Sequence, residues 1–161
     1  MGYASSGGDR PLGQFNKEPN DGGIKLSGIP VTYAISGEFT ADKTGIPVIS
    51  PDFAGYVQKV TLGVGASGKD DTNTLSVEVD LKVNTTSVFT TKPKLAHVSG
   101  EASQAKNTLA SGSGITQPVL NRTATDFSAG DILYADVDLT RTASPTTEMA
   151  NLVMNVYLAE E

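Results

Sequence analysis

The chain has 161 residues, no cysteine and a net charge of −6. This length favours one domain that buries roughly two-thirds of the surface its unfolded chain exposes. The lack of cysteine excludes disulfides, thiolate metal sites and cysteine nucleophiles. The 12 Lys and Arg residues are scattered, so this acidic chain is not predicted to bind nucleic acid. No apolar run reaches the roughly 18 residues that a membrane span needs.

Residues 1–28 differ in composition from the rest of the chain. They are rich in Gly, Ser, Asn and Asp, with isolated large side chains such as Tyr3, Leu12 and Phe15. Such a segment has little apolar surface to bury. We therefore predict an extended N-terminal arm at 1–28 and a single folded domain at 29–161.

Short runs of alternating apolar and polar residues occupy the rest of the chain. The clearest is LSVEVDLKV at 75–83, and similar runs lie at 55–64, 131–140 and 152–158. Period-2 alternation places the apolar side chains on one sheet face and the polar ones in water. Weaker runs bring the total to about eight strands, and SGEASQAKNTLA has room for one helical turn. We predict an all-β fold, a single antiparallel β-sandwich or jelly roll.

The stretch TLGVGASGKDD at 61–71 has the glycine spacing of a nucleotide-binding turn, through Gly63, Gly65 and Gly68. A phosphate-binding loop must open a helix, and it needs Ser or Thr where this chain has Asp70. A strand pattern follows instead. We interpret 65–74 as the connection of a β-hairpin, with Lys69, Asp70 and Asp71 at an exposed tip.

Two further groups of residues have the composition of catalytic or metal sites. Paired carboxylates hydrolyse glycosides or bind calcium, and alternating strand positions carry Glu78, Asp80, Asp136 and Asp138. The same spacing is typical of a solvated sheet face, and a hydrolase requires two of the four to face each other across a cleft. The sole histidine, His97, has Ser99 nearby but no nucleophile motif. We predict no enzyme, no catalytic residue, no metal site and no cofactor.

Four segments between residues 47 and 160 resemble, in order, segments of small tailed-phage head proteins. They are ISPDFAGYVQKVTLGVGAS, TLSVEVDLKVNTTSVFTTKPKLA, FSAGDILYADVDLT and LVMNVYLAEE. The matching positions of the first are Pro51, Gly55, Val57 and Val60, and the third carries Ala129-Gly130-Asp131. In the second, Thr85 stands where these proteins usually have Gly after Asn.

The resemblance implies a jelly-roll-like capsid decoration (cement) protein on the exterior of a phage virion, or else the base of a head fibre. Such proteins often form trimers and brace neighbouring capsomers. The expected partners are the major capsid protein and further copies in a homotrimer, without nucleic acid, membrane or small-molecule substrate.

The arm is then expected to become ordered on the capsid, since extended segments bind through main-chain hydrogen bonds and small apolar anchors. The expected anchors are Tyr3, Arg10, Leu12 and Phe15. The competing interpretation is a disordered terminus that binds nothing. The alternative function is a carbohydrate- or receptor-binding β-sandwich of a head fibre or cell-surface protein, which predicts an exposed cleft lined by aromatic or Asp side chains.

Overall fold

The computed structural model describes residues 27–70, 72 and 74–161. These residues form thirteen β-strands and no helix, and so no helix able to cross a membrane occurs among them. The strands are β1 (Ser27–Glu38), β2 (Lys43–Ile49), β3 (Gly55–Ala66), β4 (Ser76–Val83), β5 (Thr86–Ser87), β6 (Phe89–Thr91), β7 (Lys94–Ala96), β8 (Lys106–Asn107), β9 (Ile115–Thr116), β10 (Val119–Leu120), β11 (Asp126–Phe127), β12 (Leu133–Thr140) and β13 (Ala150–Glu160).

Two antiparallel sheets contain most of these strands. Sheet A has the order β1-β13-β3-β11, with β8 also paired to β3. Sheet B has the order β2-β12-β4-β7-β9, with β5 also paired to β4, and β6 and β10 form a separate pair. The strands β1 to β4 alternate between the sheets, and β12 and β13 then each insert between two of them. This is the order of a jelly roll, and it confirms the predicted all-β sandwich.

One apolar core lies between the two sheets. Four strands supply most of it, because alternate side chains point inward on each, apart from one register shift between Val57 and Val60 of β3. The inward residues are Val57, Val60, Leu62 and Val64 of β3, Val77, Val79, Leu81 and Val83 of β4, Leu133, Ala135, Val137 and Leu139 of β12, and Leu152, Met154, Val156 and Leu158 of β13. The alternation in the sequence therefore predicted the core-facing side of β4, β12 and β13, and that of β3 from Val60 onward. At the start of β3 it favoured Tyr56, but a register shift places Val57 in the core instead.

Three local expectations were wrong. Strands β3 and β4 lie in different sheets, so the segment between them crosses the sandwich and is not a hairpin connection. The segment that had room for a helical turn contains β8 instead. On β4, Ser76 and Asp80 are buried although they belong to the polar set. The burial of Asp80 is compensated, because Ser87 donates a hydrogen bond to it and Lys92 forms an ion pair with it.

The crossing segment begins with a sharp turn at Gly68. Its φ is +68°, and a Cβ there would lie 2.3 Å from Leu75 Cδ2 and 2.8 Å from the Thr147 carbonyl oxygen. Lys69 then exchanges two backbone hydrogen bonds with Thr147. Glycine is needed here both for the left-handed backbone and for the close approach of Leu75 and Thr147. Gly63 and Gly65, the other two glycines with the spacing of a nucleotide-binding turn, lie within β3.

The substitution Gly68→Ala is expected to lower the free energy of unfolding by about 2–4 kcal/mol, through the left-handed backbone and the clash with Leu75. Gly37→Ala is the matched control, since Gly37 has φ +76° but a Cβ there would meet no atom within 4 Å beyond its chain neighbours. The free energy of unfolding of the control is expected to fall by only about 1–2 kcal/mol. Urea unfolding followed by circular dichroism measures both, and equal losses would contradict the steric account.

Candidate functional site

The predicted anchors Tyr3, Arg10, Leu12 and Phe15 lie outside the described residues. The structure does give the point where the arm joins the domain. Strand β1 begins at Ser27, so residues 27–28 belong to the first strand. Gln58 Nε2 on β3 donates a hydrogen bond to Ser27 Oγ at 3.3 Å. The arm therefore joins sheet A on its outer face, at one end of β1.

Strand β1 is an edge strand of sheet A. Within the described part of the chain it pairs with β13 alone. Its inward side chains remain half-buried while packing on the core, and burial raises the pKa of one of them, Tyr33. An edge strand of 12 residues offers unpaired backbone groups to an added strand. This edge is a candidate surface for a partner chain.

The outer face of sheet A carries an uncharged polar row across three strands. Thr32 Oγ1 donates to Asn155 Oδ1 at 2.8 Å, and Asn155 Nδ2 donates to Thr61 Oγ1 at 3.5 Å. Beside this row, Lys59 Nζ lies 5.7 Å from the centroid of the Tyr157 ring. A low density of charge is typical of the centre of a protein interface, so this face also suits a partner.

A groove of about 410 Å³ lies on the outer face of sheet A beside β3. Its walls include Leu109 and Val119, which are 68% and 52% exposed, and the basic residues Lys59 and Arg122. The described residues that line it include no Asp or Glu. Sequence reasoning missed this groove, because Leu109 lies in a turn-rich segment and Val119 in a weak strand pattern.

A second, wider depression of about 480 Å³ lies on the outer face of sheet B. It contains the Tyr134 ring beside Asp136, whose carboxylate accepts hydrogen bonds from the Gly45 amide at 2.6 Å and from Lys82 Nζ. The bonds from Gly45 and Lys82 lower the pKa of Asp136, and the bond to Asp136 raises the pKa of Lys82. The depression thus combines an aromatic ring with an ionised carboxylate, as the carbohydrate-binding alternative requires.

The four strand carboxylates lie side by side. In the register of β4 and β12, Asp136 pairs with Asp80 and Asp138 with Glu78. Lys92 Nζ lies 3.2 Å from Asp80 and 3.8 Å from Glu78. These carboxylates share one sheet face with lysines between them and do not face one another across a cleft. Among the described residues, no group of three or more His, Cys, Asp and Glu side chains is placed to hold a metal ion.

Asp70 is buried, and its predicted position at an exposed tip was wrong. Its Oδ2 accepts hydrogen bonds from the Thr74 amide at 3.0 Å, the Thr74 hydroxyl at 2.9 Å and the Leu75 amide at 2.9 Å. Thr72 donates a further bond. These bonds stabilise a turn, and no helix follows Lys69. A nucleotide site would need a helix N-terminus at this position. Asp71 lies outside the described residues.

His97 is also buried, with its Nδ1 3.4 Å from Asp70 Oδ1 and its Nε2 3.2 Å from the Glu101 carbonyl oxygen. Ser99 is exposed, so the two residues do not form a catalytic pair. Next to them, the buried Lys106 ammonium donates to Glu101 Oε2 at 2.6 Å and to the carbonyls of Ala96 and Ser113. This polar cluster holds the loop after β7 against the turn after β3.

A scan against protein-family models found no match to this chain, and a search of curated proteins found none either. The functional interpretation depends on three surfaces of the described residues. They are the open edge at β1, the groove beside β3 and the depression at Tyr134.

The Asp70 turn predicts a loss of stability in acid. Burial raises the pKa of Asp70, but the hydrogen bonds from Thr74, Thr72 and Leu75 together outweigh this and lower the pKa below its usual value. A folded-state pKa below the unfolded value gives stability that is present above the unfolded pKa. That stability is lost as the pH falls through the folded pKa.

The free energy of unfolding, measured by urea unfolding, is expected to fall between about pH 6 and pH 2. In Asp70→Asn this free energy is expected to fall less steeply with pH. At pH 7 the same variant is expected to be about 2 kcal/mol less stable, because a charged acceptor is lost. The exposed residue Asp52 provides the control variant, Asp52→Asn. In this control the free energy of unfolding should change with pH as it does in the parent protein. An unchanged slope in Asp70→Asn would show that this carboxylate does not contribute.

Proposed function

We propose that this chain is a structural virion protein that binds the outer surface of a phage capsid and stabilises the shell, as a homotrimeric decoration protein. The observation that carries this proposal is the contact between segments that resemble phage head proteins. The Gly130 amide donates to the Pro51 carbonyl at 2.7 Å, and Asn84 Nδ2 donates to Asp131 Oδ1 at 3.0 Å. Three of these segments, far apart in sequence, thus meet in one turn cluster of the sandwich.

The departure from the usual Gly at Thr85 has a local explanation. Asn84 takes the left-handed conformation itself, with φ +53°, which Asn tolerates better than most residues. It also exchanges hydrogen bonds with Ile132, through its own amide at 2.9 Å and its side chain at 3.3 Å. The bond from Asn84 and a second from the Ser128 amide lower the pKa of Asp131. The cluster therefore forms with Thr85 in place.

The open edge of the sandwich supports binding to a capsid and to further copies of the chain. The arm joins the domain at the start of β1, which carries part of the uncharged polar row on the outer face of sheet A. An arm that adds to such an edge gains main-chain hydrogen bonds, and small apolar anchors such as Leu12 and Phe15 add specificity. The half-buried side chains Val31, Tyr33 and Ile35 would be covered further in a trimer.

Deletion of residues 2–23 is expected to abolish binding to bare capsids of the source phage, because the proposed anchors are removed while β1 stays complete. Sedimentation of capsids with added protein measures the bound fraction, and circular dichroism checks that the truncated chain is folded. In the full chain, Leu12→Ala with Phe15→Ala should weaken binding, while the control Ser5→Ala with Gln14→Ala should not. Undiminished capsid binding by a folded truncated chain would refute the arm's role.

The Tyr134 depression favours one other function, carbohydrate binding. Sugars stack on aromatic rings, and the ionised Asp136 beside Tyr134 is an acceptor for sugar hydroxyls. A glycan array, run with and without calcium, tests this function. If it holds, Tyr134→Ala should lose the signal and Tyr56→Ala, on the other sheet, should keep it. An array without hits would leave the decoration protein as the only proposal.

A further inference from the structure

The groove beside β3 is an apolar surface without a partner in the described structure. Val60 and Thr61 of β3 are among the residues that line it, and Leu109 and Val119 line it with exposed side chains. These are the large apolar side chains that remain exposed in the described part of the chain. Paired exposed apolar side chains in a concave site are typical of a surface that binds another segment.

The charge of the groove limits what binds there. Lys59 and Arg122 lie on its walls, and the described lining residues carry no carboxylate, although the whole chain has a net charge of −6. A ligand that combines apolar side chains with carboxylates is therefore complementary to this groove.

The arm contains a segment of this kind at residues 9–21, DRPLGQFNKEPND. Leu12 and Phe15 are its apolar side chains, and its carboxylates, Asp9, Glu18 and Asp21, outnumber its two basic residues. Its two prolines favour an extended backbone, which suits a groove along a strand.

The arm also starts at the mouth of the groove. It joins β1 at Ser27, and Ser27 is hydrogen-bonded to Gln58, a residue of the groove wall. The 12 residues from Phe15 to Ser27 span up to about 40 Å when extended, so Phe15 reaches every part of the groove. A tether this short gives an effective concentration on the order of millimolar.

We propose that residues 9–21 occupy the groove of their own chain in the free protein, with Leu12 and Phe15 against Leu109 and Val119. The carboxylates of the segment then lie near Lys59 and Arg122. This proposal concerns the free protein and does not depend on capsid binding. Its failure would leave the decoration function as it stands.

Hydrogen–deuterium exchange on the full chain, without capsids, tests the proposal. The double variant Leu12→Asp with Phe15→Asp should raise the exchange rates of amides at 108–109 and 119–122 at least about threefold. Amides of β4 and β12 provide the check that the sandwich is unchanged. The control Tyr3→Asp changes the arm outside the segment and should leave the groove amides as they are. Equal exchange at the groove in parent and double variant would overturn the proposal.

The charge complementarity is tested by Arg122→Glu, with Lys43→Glu on sheet B as the matched control. Arg122→Glu should also raise exchange at 108–109, and Lys43→Glu should not. Repeating the measurement over about a hundredfold range of protein concentration identifies the source of the arm, since a tethered segment binds independently of concentration. Protection that appears only at high concentration would show that the arm of a second copy binds, and would overturn the intramolecular proposal.

Discussion

The apolar side chains that β3, β4, β12 and β13 direct between the two sheets form the one contact on which the whole structure depends. Each strand is amphipathic, so neither sheet is stable until the other covers its inner face. Because the chain changes sheets between β1 and β2, β2 and β3, β3 and β4, and β12 and β13, each of these connections must cross the edge of the sandwich. The contacts within these connections then fix the loops that shape its surface.

Buried polar groups stabilise these crossings. The connection from β3 to β4 turns around the Asp70 carboxylate, and the loop after β7 is held by the Lys106 ammonium. At Pro51 and Gly130, a backbone hydrogen bond joins the approaches to β3 and β12. A buried ion or amide is costly unless it is paired, so these contacts select one arrangement of the loops. The groove and the depression form where this arrangement leaves the sheets uncovered.

The long strands were predictable from the sequence because alternation with period 2 identifies the buried face of each strand. Alternation does not identify the neighbouring strand, and for this reason the hairpin predicted between β3 and β4 is wrong. The burial of Asp70 depends on amides of Thr74 and Leu75 that converge only after folding. The groove was not predictable, since Leu109 and Val119 are single apolar residues without a periodic pattern. The anchors Tyr3, Arg10, Leu12 and Phe15 remain predictions.

The central claim is that this chain is a component of a virion shell. Quantitative mass spectrometry of purified virions from the source tests it most directly. The account predicts that intact particles contain peptides of this chain together with those of the major capsid protein. Purified particles without these peptides, from a lysate that contains the protein, would contradict it.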